Sequence, residues 1–403
     1  MTATTLERDC VIAGGGPAGM MLGHLLARAG LRVTVLEKHG DFLRDFRGDT
    51  IHPSTITVLG ELGLREAFLA LPVHRVDRLD VVIDGTRLSP IDFSLLPGPD
   101  DFLVFAPQWD LLDFLADASR RFPGFELRMS TEATGLVRED GRVVGLAARG
   151  PDGPLELRAP LTVAADGRHS TLRASAGLAP VEEGVPIDVL WFDLPVPAEP
   201  PPETLFSLDE HGFALTIPRG THWQGGYVIP KGGLERLRAG GLDAFHRAFA
   251  GTAPFAADAI RAVDDWAKVK LLSVQIDHLP RWHLDGFIAI GDAAHAMSPV
   301  GGVGVNYAIQ DAVALANAIA GPLAKGQAPE PLLAAVQARR ERPALRMQRI
   351  QRLAHARLGR VTSGRGSPVP RALVPVLRLL LPLLRGRLSR LVGLGILPEH
   401  VQD

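Results

Sequence analysis

The sequence predicts an α/β fold in which a nucleotide-binding unit is interrupted by a mostly β segment and followed by C-terminal helices. Three observations predict it. A short apolar run leads into a glycine-rich turn and a helical pattern near the N-terminus, the middle of the chain alternates apolar and polar residues, and a second apolar run with a glycine loop arrives near residue 290. Apolar strands that run into glycine-rich helix starts are typical of open α/β sheets.

The N-terminal unit joins a predicted strand, 10–13, to a predicted helix, 20–29, through three consecutive glycines. Gly14 permits a tight turn, and Gly16 lets backbone N–H groups approach a pyrophosphate without an intervening Cβ. Gly19 lets the helix pack closely on the strand. The helix N-terminus then faces the negative charge of the phosphates.

A second predicted strand, 32–36, ends in an acidic residue, Glu37, which is followed by Lys38. Glu37 lies about 20 positions beyond the first glycine, the spacing expected of a carboxylate that accepts a hydrogen bond from an adenosine ribose hydroxyl. An acid at this position argues against a 2′-phosphate. The pattern therefore predicts a dinucleotide site rather than an ordinary βα turn, and it leaves the identity of the dinucleotide open.

Composition narrows the class of protein. The 403 residues are 46% hydrophobic and carry a formal charge of −2, with the arginines interpreted as spread among acids, so nucleic acid is not an expected partner. Cys10 is the single cysteine, which favours a reducing, cytoplasmic compartment. Neither a signal peptide nor a membrane span is expected, and no His/Cys cluster indicates a metal.

The middle of the chain indicates an interruption of the nucleotide fold. Residues 73–105 are β-rich, and an amphipathic helix follows from about residue 107. The stretch 125–167 reads as hairpins that end in a buried strand. The stretch 181–276 is mostly strand-like, with one predicted helix near 233–249.

The segment from residue 286 onward predicts a buried strand followed by Gly291 and Asp292 at its carboxyl end, where ligands lie in open α/β sheets. An acid there can accept hydrogen bonds from ligand hydroxyls. The loop 299–306 then leads into a helix whose first amides can stabilise negative charge.

Three separated motifs make the chain resemble the group A, para-hydroxybenzoate hydroxylase-like FAD monooxygenases. They are the opening turn 14–19 with Glu37, the Asp-Gly motif in 164–173, and the glycine-rich stretch 291–306. Ala164 and Val305 stand where this family often has glycine and leucine. The resemblance implies that FAD is bound by Gly14, Gly16, Ala18, Gly19, Glu37, Lys38, Arg47, Gln108, Asp166, Gly291, Asp292, Gly304, Val305 and Asn306. It also implies that Pro299, Gly301, Gly302, Gly304 and Asn306 form the isoalloxazine loop.

The same resemblance implies the reaction and the domain plan. The chain is expected to be an oxidoreductase that uses NADPH or NADH and O₂ to hydroxylate an aromatic or polycyclic apolar small molecule through a C4a-hydroperoxyflavin. Residues 1–72, 101–178 and 277–330 are expected to form a discontinuous, Rossmann-type FAD-binding domain. Residues 73–100 and 179–276 are expected to form a β-rich substrate domain, and 331–403 a helical region.

Other functions stay open at this stage. The same flavin chemistry could serve Baeyer–Villiger oxidation or epoxidation, and a dehydrogenase or a non-catalytic flavin-binding protein are alternatives from other classes. Flavin halogenases are disfavoured because Gly225 and Tyr227 stand where their motif has tryptophans. His295 is interpreted as a packing and hydrogen-bonding residue rather than a catalytic one. Of the strand aromatics Trp191, Phe192, Trp223 and Tyr227, some are expected in the substrate pocket and others in packing.

The C-terminal segment 371–397 is predicted to be amphipathic and basic. Leu373, Leu377, Leu380 and Leu384 share one helical face, and Pro382 is expected to divide the segment into two short helices. The favoured interpretation is that the leucine face packs on the rest of the protein. The alternative is weak contact with an anionic membrane surface.

Overall fold

A computed structural model describes residues 4–43, 50–199, 205–210, 212–362 and 369–402. Arg47 lies outside these residues, so its predicted contact with the cofactor stays a prediction. The α-helices of the described part are α1 (Pro17–Arg28), α2 (Pro53–Glu61), α3 (Arg65–Leu69), α4 (Gln108–Ser119), α5 (Thr171–Ser175), α6 (Leu234–Ala239), α7 (Gly241–Thr252), α8 (Gly304–Ala324), α9 (Glu330–Thr362) and α10 (Val374–Gly393).

The strands alternate with these helices along the chain. The first are β1 (Thr4–Glu7), β2 (Cys10–Ala13), β3 (Val33–Leu36), β4 (Thr50–Ile51), β5 (His74–Val76), β6 (Arg78–Ile83), β7 (Thr86–Asp92), β8 (Leu103–Phe105), β9 (Phe125–Arg128), β10 (Glu132–Glu139) and β11 (Arg142–Gly150). The remainder are β12 (Gly153–Arg158), β13 (Leu161–Ala164), β14 (Val181–Glu183), β15 (Ile187–Leu194), β16 (Leu205–Leu208), β17 (Phe213–Pro218), β18 (Trp223–Pro230), β19 (Lys270–Leu272), β20 (Ile276–His278), β21 (His283–Leu284) and β22 (Phe287–Ala289).

The six-stranded sheet has the order β21-β22-β13-β2-β3-β9, and every pairing except β21 with β22 is parallel. Its central strands are fully buried, because α1 and α8 are part of the same apolar core. In the register of this sheet Ala13 is paired with Leu36 and Ala164, and Ala164 is paired with Ala289. The residues that follow these four strands therefore emerge at one edge of the sheet.

A seven-stranded sheet, of order β19-β15-β18-β17-β16-β6-β7, forms the second large layer. All its pairings are antiparallel except that of β16 with β6. Its two faces carry different cores. One face packs on α7 through Phe192, Trp223 and Tyr227, and the other holds Trp191 together with part of β8 and the residues near α10. The α/β fold class predicted from the sequence is confirmed.

Three local predictions were wrong. The single helix expected near 233–249 is two helices, α6 and α7, because Gly241 has φ +78° and breaks the helical path. The C-terminal segment is not divided at Pro382, since α10 continues through it. The proline ring lies on the exposed side of α10, where water can solvate the carbonyl left without a donor.

The third error concerns which side of α10 packs. Val374, Ser389 and Gly393 are buried, and partly buried Leu381 packs beside Val374. Leu373, Leu380 and Leu384, three of the four leucines predicted to pack, are exposed, and Leu377 is half-buried. Helix α10 is amphipathic as predicted, but most of its leucine face points to solvent.

Candidate cofactor-binding site

The turn after β2 forces the backbone into conformations that only glycine accepts. Gly14 has φ +105°, and a Cβ there would lie 2.2 Å from the carbonyl oxygen of Ala165. A Cβ on Gly19 would lie 1.9 Å from the carbonyl oxygen of Gly14, so this glycine lets α1 approach the strand. Gly16 differs, because a Cβ there would meet no described atom within 4 Å. Its glycine is thus not required by protein packing and leaves an open approach to the start of α1.

A cleft of about 80 Å³ lies beside this turn. It is lined by Gly15, Gly16, Glu37, Phe42, Gln108, Trp109 and Leu112. The structure therefore brings together Gly16, Glu37 and Gln108, which come from three separate segments. Glu37 accepts hydrogen bonds from the N–H groups of Gly15 and His39 at 3.1 and 3.0 Å, which fixes its carboxylate at the cleft wall. Lys38 is exposed.

The Asp-Gly motif follows β13 at the same sheet edge. The Asp166 carboxylate accepts hydrogen bonds from the Ser170 hydroxyl at 2.5 Å and from the Leu172 N–H at 3.1 Å, which stabilises the start of α5. Burial raises the pKa of Asp166. Arg173 donates to the carbonyl oxygen of Ala293 at 3.1 Å, so it joins this motif to the one after β22. Asp166 thus orients the backbone between the two motifs.

Gly291 and Asp292 form a short 3₁₀ turn, Gly291–Ala293, directly after β22. Gly291 has φ +59°, and its Cβ position faces Ala18 of α1 and Ala308 of α8 at 3.1 and 3.4 Å. The Asp292 carboxylate is one-third exposed and lies 3.2 Å from the Arg168 guanidinium. Asp292 is consequently held at the sheet edge with oxygen lone pairs open to a ligand.

The loop before α8 is shaped by two glycines with left-handed backbone, Gly301 at φ +85° and Gly302 at φ +63°. The Gly302 carbonyl oxygen accepts a hydrogen bond from the Thr50 hydroxyl at 2.8 Å. Gly304 opens α8, and a Cβ there would meet no described atom within 4 Å. No side chain of the described residues caps this helix start, so its first amides are available to an acceptor.

Asn306 stands in the first turn of α8 and is buried together with its neighbour Val305. Its side-chain oxygen accepts hydrogen bonds from Ser54 at 2.7 Å and Thr55 at 2.9 Å. Its Nδ2 group is buried without a hydrogen-bond partner in the part of the chain that the structure describes. A buried amide N–H₂ without an acceptor is costly, and this one lies beside Gly395 of the C-terminal segment.

Three residues that sequence analysis did not assign to the site contact the loop before α8 and hold it in place. Gln351 donates to the carbonyl oxygens of Ser298 and Val300 at 3.0 and 2.9 Å, and His355 contacts the Ser298 hydroxyl at 2.7 Å. His52 lies between the carbonyl oxygens of Gly302 and Val392, at 3.1 and 2.7 Å. Burial lowers the pKa of His52 and of His355 to about 4. No spacing in the sequence relates these positions, because they meet only through tertiary packing.

A buried ionic chain connects the turn after β22 to the last residues. Asp311 accepts hydrogen bonds from the Gly291 N–H at 3.1 Å and from His295 at 2.6 Å, and it pairs with Arg340 at 3.0 Å. Arg340 also pairs with Glu399 at 3.2 Å. Although burial alone would raise the pKa of Asp311, His295 and Arg340 lower it. His295 has the packing and hydrogen-bonding environment that the sequence analysis favoured.

The arrangement fits an extended dinucleotide with a flavin end. Two helix starts without side-chain caps, at Gly16 and Gly304, flank the sheet edge that carries Glu37, Asp166 and Asp292. The open positions at both glycines are the features that a bound FAD would use. Among the described residues no group of three or more His, Cys, Asp or Glu side chains could hold a metal ion.

Comparison with known proteins gives one family. The FAD binding domain family matches residues 7–351. The chain is 35% identical over 347 residues to 6-methylpretetramide 4-monooxygenase of Streptomyces rimosus, covering 85% of this chain and 82% of that protein. It is 31% identical to rifampicin monooxygenase of Streptomyces venezuelae, covering 81% of this chain and 66% of that longer protein. A variant of PqsL from Pseudomonas aeruginosa superposes with TM-score 0.77 at 25% identity, covering 89% of this chain and 99% of that one.

Proposed function

We propose that this chain, which belongs to the FAD binding domain family and is an FAD-dependent monooxygenase, uses NADPH or NADH and O₂ to hydroxylate an aromatic or polycyclic, largely apolar small molecule. Two of its relatives are named for 6-methylpretetramide and rifampicin, and we infer a substrate of that kind here. An FAD held by these residues would accept a hydride from the nicotinamide and would supply the oxygen-transfer chemistry. Cys10 is buried and free, which suits a cytoplasmic enzyme.

The observation that carries this proposal is the start of α8. The uncapped amides after Gly304 lie where the isoalloxazine loop is expected, and a Cβ at Gly304 would meet no described atom within 4 Å. Oriented N–H groups and a helix N-terminus stabilise negative charge, which develops at the N1–C2=O edge of a reduced flavin. His52, Gln351 and His355 hold the loop backbone, so these donors keep their orientation without reorganising during the reaction.

The substrate is proposed to bind on the Trp191 face of the seven-stranded sheet. Val300 of the loop packs against the same apolar cluster as Trp191, whereas Phe192 and Trp223 belong to the opposite face. The Trp191 Nε1–H is buried and has no partner among the described residues. It can donate to an oxygen of an otherwise apolar substrate, and the surrounding aliphatic residues exclude water from the reaction.

Baeyer–Villiger oxidation, epoxidation and a simple dehydrogenase reaction are the alternatives. Halogenation is disfavoured by packing as well as by sequence, because a Cβ on Gly225 would lie 2.3 Å from the ring of Phe192. A tryptophan therefore has no room at that position without displacing Phe192.

Rapid mixing tests the proposal. Protein reduced anaerobically with NADPH or NADH is mixed with O₂ and a panel of polycyclic aromatic compounds while the flavin spectrum is recorded. We expect a transient near-ultraviolet band and a hydroxylated product. Reoxidation without that band and without oxygenated product would support the dehydrogenase alternative instead.

A pair of variants on one helix checks the role of the start of α8. Gly304→Val places a side chain among the proposed flavin-facing amides, whereas Gly321→Val lies near the other end of α8, and neither Cβ meets a described atom within 4 Å. We expect Gly304→Val to slow flavin reduction or oxygen transfer more than it lowers stability, and Gly321→Val to leave flavin kinetics unchanged. Equal effects of both variants would mean that the helix, and not the loop, is being perturbed.

A further inference from the structure

Helix α10 presents an apolar row to solvent. Val376, Leu379, Leu380 and Leu383 follow each other at helical spacing on its outer side, and the side chains of Leu379 and Leu383 are 75% and 78% exposed. We call these four residues the outer row. Exposed apolar residues that occur singly need no explanation, but a contiguous row of large aliphatic side chains marks an interaction surface.

The helix that carries the outer row is basic. Helix α10 contains four arginines, Arg378, Arg385, Arg387 and Arg390, and no acidic residue. The interpretation that the arginines are spread among acids was therefore wrong for this helix. Arg387 and Arg390 continue the outer row along α10, are exposed, and have no acidic partner among the residues the structure describes.

The exposed aliphatic residues and the arginines of α10 together favour one kind of partner. A nucleic acid would use the arginines but would leave the exposed leucines in water. A second copy of this chain would cover the leucines but offers no anionic surface of its own that the structure shows opposite Arg387 and Arg390, and it is kept as an outcome of the test below. Aliphatic residues beside unpaired arginines on an acid-free helix match a bilayer interface, where the leucines enter the acyl boundary and the arginines contact anionic headgroups.

We propose that α10 is a docking surface for an anionic lipid bilayer, with the protein lying on the membrane and not crossing it. None of the helices described is long and apolar enough to span a bilayer. The opposite side of α10 is anchored to the protein, because the Asp92 N–H donates to Ser389 at 2.8 Å and Arg385 pairs with Asp92. The helix is thus held with its outer row facing away from the protein.

The docking surface is structurally joined to the cofactor site. The carbonyl oxygens of Val392 and Gly393, at the end of α10, contact His52 and Ser54 at 2.7 and 3.2 Å. Ser54 also holds Asn306, and His52 also contacts Gly302 of the loop. A bilayer bound at α10 therefore lies close to the site, where it can supply an apolar substrate. The proposed docking does not depend on which reaction the protein performs.

Co-sedimentation of the full chain, loaded with FAD, with phospholipid vesicles tests the proposal. Vesicles of phosphatidylcholine alone are compared with vesicles that also contain phosphatidylglycerol, at low and at high salt. We expect binding to the anionic vesicles only, and we expect high salt to weaken it because screening shortens the reach of the arginine charges. Absence of binding at low salt, or equal binding to both vesicle types, would overturn the proposal.

Three double variants separate the contributions of the leucines and of the arginines to vesicle binding. Leu379→Ser/Leu383→Ser is expected to weaken vesicle binding by about tenfold or more, because the inserted apolar surface is lost. Arg387→Gln/Arg390→Gln is expected to weaken binding to anionic vesicles by roughly 30-fold. The control Val181→Ser/Leu271→Ser removes two exposed apolar residues elsewhere, which are 46% and 45% exposed, and it is expected to bind like the unmodified protein. A dimer that the leucine variant dissociates, with unchanged vesicle binding, would assign the outer row to a second copy.

Discussion

The edge of the six-stranded sheet and the faces of the seven-stranded sheet are built on different principles. At the sheet edge, backbone geometry demands particular residues: Gly14 and Gly19 cannot carry a Cβ because carbonyl oxygens occupy the space. In the seven-stranded sheet, aromatic residues on neighbouring positions face opposite sides, and the side decides whether each one packs on α7 or faces the loop. Residues fixed by the backbone leave a readable pattern in the sequence, whereas residues fixed by tertiary neighbours do not.

The largest effect is expected from two glycines of the same turn. Gly14→Ala forces a Cβ to 2.2 Å from a backbone oxygen at φ +105°, so we expect a loss of about 3 kcal/mol or more of folding stability together with loss of FAD binding. Gly16→Ala places its Cβ in open space and should retain stability while weakening FAD binding. Urea unfolding of the apoprotein and FAD titration measure the two quantities. Similar stability losses in both variants would contradict the distinction between a structural and a ligand-facing glycine.

Breaking the buried ionic chain is the next largest perturbation. Arg340→Met leaves Asp311 and Glu399 without their shared cation in a buried setting, and we expect a loss of about 3–5 kcal/mol. The lowered pKa of Asp311 adds a pH dependence. Its stabilisation is present above about pH 4, the usual value for an unfolded aspartate, and is lost as pH falls through the lower folded value. Urea unfolding between pH 3 and 7 should show a weaker acid loss in Arg340→Met; an unchanged acid profile would argue against the pairing.

Asp292 offers a test in which stability and cofactor binding should separate. Its carboxylate is partly exposed at the sheet edge, so Asp292→Ala should fold normally and bind FAD more weakly by about 1.5–3 kcal/mol. Asp152→Ala, on the exposed turn between β11 and β12, serves as a control for removing a carboxylate. If the folded Asp292 variant retains full FAD affinity in fluorescence titrations, the aspartate does not contact the cofactor.

Two buried histidines, one on α1 and one beside the loop before α8, are expected to lower folding stability in acid. They are expected to differ in their effect on the flavin spectrum. Burial lowers the pKa of His24 on α1 and of His355 behind the loop to about 4. Because the unfolded chain binds these protons near pH 6.5 and the folded chain does not, stability falls as pH decreases from 6.5 to 4, by about 1–2 kcal/mol per histidine. His24→Gln and His355→Gln should both flatten this loss in urea unfolding. Only His355→Gln should alter the flavin absorption spectrum, and a spectral change in His24→Gln would contradict the assignment.

The smallest effect is expected from tryptophan substitutions on the two faces of the seven-stranded sheet. Trp191→Phe removes the unpartnered indole N–H and should raise the KM for the substrate by roughly 2- to 12-fold while leaving FAD affinity unchanged. Trp223→Phe alters the opposite face and should leave KM unchanged. Steady-state kinetics with any accepted substrate measures both variants, and the reverse order of effects would place the substrate on the α7 side.

These contrasts explain how far the sequence could predict the structure. The positions of Gly14, Glu37, Asp166 and Gly291 after buried strands follow from alternation of strand and turn, and parallel pairing alone brings them to one edge. The support of the loop by His52, Gln351 and His355 could not be predicted, because those residues lie about 50 positions or far more from Gly302 and share no motif with it. In the sequence these two histidines and the glutamine look like ordinary surface residues, and only the fold buries them.

The orientation of α10 could not be predicted for a different physical reason. Helical spacing identifies an apolar side but does not say which side the protein covers. Sequence reasoning assumed that leucines pack inward, whereas here Arg385 turns inward to Asp92 and Ser389 accepts from the Asp92 N–H. Both polar contacts of α10 are made with Asp92, the last residue of β7, and they set which side of the helix faces the protein.

The contacts of Val392, Gly393 and Glu399 also fix the order in which this protein can mature during synthesis. The loop that ends at Asn306 leaves the ribosome about 90 residues before Glu399, and translation at about 5–20 residues per second makes that interval roughly 5–20 seconds. During it, His52 has no Val392 carbonyl and Arg340 has no Glu399. The six-stranded sheet and the loop before α8 are therefore synthesised before the residues that hold His52 and Arg340. These two buried contacts are completed only after residue 399 has been translated.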